Sequence, residues 1–199
     1  MNIKNWIQFL KHSHKGILVL LPLCLFAGCV NLKPVEDTTK FYVLSVKRDG
    51  YDGEIEKRVA VRSIDLVDYL RNTQIVKRAR GNEIKYLAGH RWAGDLDLMI
   101  GMVVADEIED LRSGVYATVG DSLNPDLNLD LKVLNFDITA SDSSEVTLEW
   151  VIIDAVTREI LHEGRGQASV SSSSSDPSDQ VAALESALRQ ITATIVQSL

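Results

Sequence analysis

The sequence predicts a single compact α/β domain of the α+β kind, a mixed β-sheet packed by two main helices. Two patterns predict it. Several short runs rich in Val, Ile, Leu and aromatic residues alternate with a period of two, and two longer segments repeat their apolar residues every three or four positions. The composition agrees: 199 residues, 45% apolar and 25% charged, are globular and enough for one domain.

Residues 1–15 are polar and carry Lys4, Lys11 and Lys15 with no acid. The apolar run from Ile17 to Ala27 follows, interrupted only by Pro22. It is well short of the roughly 18–20 residues that cross a bilayer core, and with its basic flank it reads as a secretory signal. Leu25-Phe26-Ala27-Gly28-Cys29 resembles a bacterial lipobox, which implies cleavage before Cys29 and acylation of that residue. Val30 after the cysteine, in place of Asp, resembles the sorting pattern for the outer membrane. The expected organisation is a signal peptide over 1–28, a lipidated tether over 29–40 and a domain over 41–199. Cys24 leaves with the signal and Cys29 takes lipid, so the mature body has no thiol for a disulfide or a metal.

Phe41 to Val46 reads as the first strand and Val59 to Ile64 as the second, with Asp65 to Leu70 a short turn or helix. Gln74 to Arg78 and Ile84 to Ala88 read as strands joined at Arg80-Gly81-Asn82. Asp95 to Leu111 reads as a helix whose stripe is Leu98, Met99, Met102, Val103, Ala105 and Ile108. Leu127, Leu129, Leu131 and Val133 alternate with polar residues, and the apolar set then shifts to Leu134, Phe136 and Ile138, which predicts a bulge near Val133. Val146 to Asp154 reads as the strongest strand, turning over Ala155 to Arg158 into a partner that runs to about Val170. After five serines at 171–175, Asp176 caps a closing helix with Pro177 at its first position. Its stripe is Val181, Leu184, Leu188, Ile191, Ile195 and Leu199.

Beyond the leader, the chain carries 18 basic and 28 acidic residues, a net −10. That makes nucleic-acid binding an unsuitable function, since phosphate contacts need surplus Lys and Arg. The charge is segregated. Arg71, Lys77, Arg78, Arg80, Lys85 and Arg91 face only Glu83 between 71 and 91, while 95–154 holds fourteen acids against Arg112 and Lys132. These are two solvated surfaces, or a basic strip that meets an acidic strip on a neighbouring subunit or a partner.

Gly120-Asp121-Ser122-Leu123 matches the short signature of the GDSL esterases. The closest late match to their base is Glu159-Ile160-Leu161-His162, with Glu in place of Asp, and no oxyanion-hole block is present. A turn before Asn124-Pro125 explains the serine better. No phosphate-binding glycine motif occurs, and His90 and His162 lack ligand partners at metal spacing.

Several segments together resemble the PqiC (YmbA-type) lipoproteins, the auxiliary lipoprotein component of ABC-type or MCE-type transport systems. They are Phe41-Tyr42-Val43-Leu44-Ser45, Val59-Ala60-Val61 leading to Asp68-Tyr69-Leu70, Gln74-Ile75-Val76, and Arg91-Trp92-Ala93 read as opening a helix. The strands near 133–136 and 146–154 and the closing helix follow in the same order. Ser63, Val67 and Thr73 stand where the family pattern has prolines. The resemblance implies a non-enzymatic outer-membrane lipoprotein with no cofactor beyond the acyl chains on Cys29. It further implies a homo-oligomeric ring facing the periplasm. The ring would dock an MCE-domain tube, held by its inner-membrane partner, through which lipid passes and membrane integrity is kept. Tyr42, Leu44, Tyr69, Leu70, Gln74, Arg91 and Trp92 are the motif residues that would lie at an interface. The alternatives are a stand-alone envelope-assembly lipoprotein or an esterase using Ser122.

Overall fold

The computed structural model describes residues 36–47, 51, 53–121 and 124–199. Contacts divide the chain into Met1–Asp37 and Thr38–Leu199, and the architecture below belongs to the second unit. Its strands are β1 (Lys40–Tyr42), β2 (Lys57–Leu66), β3 (Gln74–Arg78), β4 (Ile84–Trp92), β5 (Val115–Val119), β6 (Leu127–Ile138), β7 (Ser143–Asp154) and β8 (Ile160–Ser171). The helices are α1 (Leu96–Leu111) and α2 (Pro177–Val196). This is the mixed sheet with two helices that the sequence predicts.

β6 organises the sheet. It pairs antiparallel with β7 from Leu127↔Asp154 to Ile138↔Ser144, and β7 continues antiparallel into β8. On its other side β6 runs parallel to β2, which runs parallel to β5. Near its end β6 meets β3 at one register pair, Lys77↔Ile138. β3 is antiparallel to β4, and β4 is parallel to β1. The register of β6 against β7 shifts between Val133 and Asn135, where the change of apolar phase predicts the bulge.

α1 packs on β2 and β5, α2 packs on β7 and β8, and the helices touch each other. Val61, Leu129, Val133, Val146 and Leu148 from the sheet are fully buried, as are Ile100, Val103, Ile108, Leu184, Leu188 and Ile195 from the helices. Each such side chain contributes on the order of 1.5–3 kcal/mol through lost water contact. Gly101 lets α1 approach closely, because a Cβ there would meet Ile64 Cδ1 at 2.6 Å. Asp176 caps α2 as expected, accepting from the Ser178 amide at 2.8 Å. That bond is the main reason its carboxyl lies below the ordinary value.

Four expectations need correction. β1 stops at Tyr42 instead of running to Val46, because the Ser45 and Lys47 amides are taken by the carboxylates of Glu185 and Asp106 at 2.8 and 3.2 Å. β4 runs past Ala88 to Trp92, so Arg91-Trp92-Ala93 closes a strand and does not open a helix. The Trp92 amide donates to Thr73 O at 2.7 Å and the Ala93 amide to Tyr42 O at 2.8 Å, bonds of neighbouring strands. The buried stripe of α1 is rotated from the expected one: Leu96, Ile100 and Val104 are inside, while Leu98 and Met102 are exposed. β5 is a strand that the reading of the sequence does not include.

Candidate functional site

Cys29 and Ser122 lie outside the described residues. The other motif residues gather on one part of the fold, the three strands β1, β4 and β3 with the 3-10 turn Asp68–Leu70 beside them. Tyr42 pairs with Trp92, and its hydroxyl is hydrogen-bonded to His90 Nδ1 at 2.7 Å. Burial first, and then the Asp176 carboxylate, push the Tyr42 phenol above its ordinary value. Trp92 is buried with its ring centroid 6.0 Å from that of Phe136, a core anchor at the end of a strand. Leu44 and Leu70 are buried in the same core. Gln74 lies directly opposite Arg91, and Arg91 is exposed.

Tyr69 belongs to a polar cluster between the turn, β3 and β6. Arg78 Nη2 donates to Asp137 Oδ2 at 2.6 Å and to Asn135 Oδ1 at 2.8 Å. The Tyr69 hydroxyl lies 3.1 Å from Asn135 Oδ1 and 3.4 Å from Asp137 Oδ2. Burial, reinforced by the charge of Asp137, raises the Tyr69 phenol to about 12. Asp137 is wholly buried, and its Oδ1 has no hydrogen-bond partner among the described residues. Burial raises its carboxyl above the ordinary range, with Arg78 pulling the other way. Tyr69 is therefore a neutral hydroxyl that shares Arg78 with a buried carboxylate. Lys77 adds an ion pair to Asp142 at 2.6 Å beside the one backbone pair that joins β3 to β6.

A second cluster escaped the sequence reading. Arg189 on α2 donates to Asp106 at 3.1 Å, to Glu185 at 3.3 Å, to Glu107 and to the Ser45 carbonyl at 2.9 Å. The side chains of Arg189, Asp106 and Glu107 are each no more than 12% exposed. Burial pulls the guanidinium down, but the bonds from Glu107, Asp106 and Glu185 outweigh it and hold Arg189 above its ordinary value. The same carboxylates that bind Arg189 take the Ser45 and Lys47 amides. Val46 lines a small apolar cleft with Met102, Ala105 and Val119. The segment after β1 is thus stitched to both helices. Two sequence signals mark the cluster: Asp106-Glu107 inside an apolar helix stripe, and Arg189 one turn after Glu185.

The basic strip is largely neutralised within the chain. Arg71 pairs with Asp65 at 2.6 Å, Lys85 with Glu83 at 3.4 Å, and Lys77 and Arg78 as above. Arg80 and Arg91 make no ion pair among the described residues. His162 is exposed on β8 opposite Ile152. Among the described residues, no group of three or more His, Cys, Asp or Glu could hold a metal ion, and no helix is long and apolar enough to cross a membrane.

Comparison with known proteins follows this geometry. Residues 42–196 match the family model described as ABC-type transport auxiliary lipoprotein component. Protein XCC0632 from Xanthomonas campestris superposes with a TM-score of 0.64 at 21% identity, covering 79% of this chain and 92% of its own. A crystal structure described only as an uncharacterized protein gives a TM-score of 0.69 at 15% identity, covering 80% and 97%. At those identities both show the fold alone. None of the curated proteins compared gives a significant match. The family match runs from the last residue of β1 through α2 and takes in both arginine clusters, and the chain belongs to the ABC-type transport auxiliary lipoprotein component family that its sequence resembles.

Proposed function

We propose that this chain is a non-enzymatic outer-membrane lipoprotein that serves as the docking subunit of an MCE-type intermembrane lipid transport system. Acyl chains on Cys29 hold it in the inner leaflet of the outer membrane, facing the periplasm. Two or more chains make such anchoring stable, at about 0.8 kcal/mol per buried CH₂. Copies assemble into a ring at the end of an MCE-domain tube fixed in the inner membrane, and lipid passes through the joint. The observation that carries this reading is the family match over residues 42–196. The stitching of residues 45–47 to Glu185 and Asp106 supports it, because an anchored subunit under load needs its tether fixed to its core.

The test is in-cell crosslinking of the tagged protein, purification from outer-membrane fractions and mass spectrometry of the captured species. Recovery of an MCE-domain protein, lost in Cys29→Ala, is the expected result. Recovery of the chain alone overturns the transport role, and retained function in a soluble Cys29→Ala protein overturns the anchoring role.

A further inference from the structure

We infer that the outer face of the β1–β4 edge is a second membrane contact, a patch that rests on anionic phospholipid beside the acyl anchor. The inference rests on the acylation of Cys29 proposed above. Phe41 and Val43 are 65% and 61% exposed, although both neighbour buried core through Tyr42 and Leu44. Register places Phe41 opposite Arg91, and Arg91 opposite Gln74, in one row across three strands. Directly paired residues share a face. Their neighbours Tyr42 and Trp92 point inward, so the row Phe41–Arg91–Gln74 points out. An exposed aromatic ring and a valine beside a cation are the composition that settles at a headgroup boundary.

Two features favour lipid as the occupant. Ten residues separate Cys29 from Lys40, a reach of no more than about 40 Å fully extended, so β1 is the part of the domain tied nearest the leaflet. Arg91 lies at this edge with no carboxylate partner among the described residues, a cation open to an anionic headgroup.

The mature body has no thiol, so a single cysteine can carry a probe. Acylated protein purified from membranes, with Val43→Cys bearing an environment-sensitive fluorophore, is reconstituted into vesicles of phosphatidylethanolamine and phosphatidylglycerol at roughly 3:1. A small share of the lipid carries a nitroxide near the headgroup. The reference is Val156→Cys, an 86% exposed position in the β7–β8 turn. The expected result is a blue shift and at least about threefold more quenching at residue 43 than at 156, lost in Phe41→Asp and weakened in Arg91→Glu. Both are surface changes, and their thermal melts should match the parent. Equal quenching at both positions in floating, acylated protein overturns the patch and leaves the anchor standing. A blue shift that is indifferent to nitroxide lipid and rises with protein concentration also overturns it, in favour of contact between copies. Absence of acyl mass on Cys29, read by mass spectrometry, overturns the anchor and the patch together.

Discussion

Arg189 meets three carboxylates and a carbonyl, whereas Arg78 meets one carboxylate, an amide oxygen and a phenol. The first cluster joins α1, α2 and the segment after β1, all packed on the body of the sheet. The second joins β3 and the Tyr69 turn to β6, where the backbone supplies one register pair. Arg189 is 12% exposed at its side chain and Arg78 is 32% exposed. One arginine therefore compensates a surplus of buried negative charge, and the other partly compensates a single buried carboxylate that already sits above its ordinary pKa. Charge arithmetic and burial make the Arg189 cluster the stronger structural joint, and the Arg78 cluster the softer one.

The sharpest way to break that comparison is Arg189→Met. It leaves Asp106, Glu107 and Glu185 facing one another without their cation. Breaking a buried pair in this way costs about 3–5 kcal/mol, which denaturant titration at neutral pH would read directly. Hydrogen exchange at the Ser45 and Lys47 amides should accelerate, since the carboxylates that hold them lose their own support. Arg189→Lys should recover only part of the loss, because an ammonium cannot span three carboxylates and the Ser45 carbonyl at once. Equal stability of Arg189→Met and the parent would remove the contrast altogether.

Arg78→Met should cost less, about 1–3 kcal/mol, because Asp137 can take up a proton instead of remaining a bare buried charge. The pH dependence sharpens the point. Burial raises the Asp137 carboxyl in the folded state above the ordinary 3.8. A raised carboxyl contributes stability that is present below the unfolded value and lost as pH rises through the folded value. Asp137→Asn removes that contribution, so its stability relative to the parent should improve as pH rises through the raised folded value. Asp142, lowered chiefly by its hydrogen bond to Lys77, has the opposite sign and loses its contribution as pH falls through its lowered value. Urea midpoints of parent and Asp137→Asn across that range check the direction, and parallel profiles would show that Asp137 titrates normally.

The two clusters also differ in how much of them the sequence displays. Tyr69 is visible as a family-pattern residue, and Arg78 lies in a strand that alternation locates. What sequence does not display is Asp137 as their partner, 59 residues further on from Arg78. The Arg189 cluster is harder still, because Ser45 and Glu185 are 140 residues apart. Their contact is also what shortens β1, so the same long-range bond explains both the missing cluster and the wrong strand end. Local signals fared better. The Asp176-Pro177 start of α2, the β7–β8 hairpin and the bulge after Val133 each follow from neighbours within a few residues. Arg91-Trp92-Ala93 failed for the converse reason: an apolar helix follows closely, but the Trp92 amide bonds to Thr73, just before β3, and the Ala93 amide to Tyr42 on β1, which keeps the chain extended through Trp92.

Tyr42→Phe offers the smallest and most local test, at the first strand, between the Arg189 cluster and the softer joint. It deletes one hydrogen bond, to His90 Nδ1, and leaves the ring against the core. The expected global cost is about 0.5–1.5 kcal/mol, near the lower end because the site is only partly buried. The informative readout is exchange at the Ala93 amide, which donates to the Tyr42 carbonyl and reports whether β1 stays on β4. Acceleration at Ala93 with no change at the Ser45 amide would show that β1 opens while the Arg189 stitch holds. In that case local opening that frees β1 from β4 stops at residue 45. Acceleration at both amides would mean that the segment from β1 through residue 47 opens as one unit, and the difference between the two arginine clusters would not reach β1.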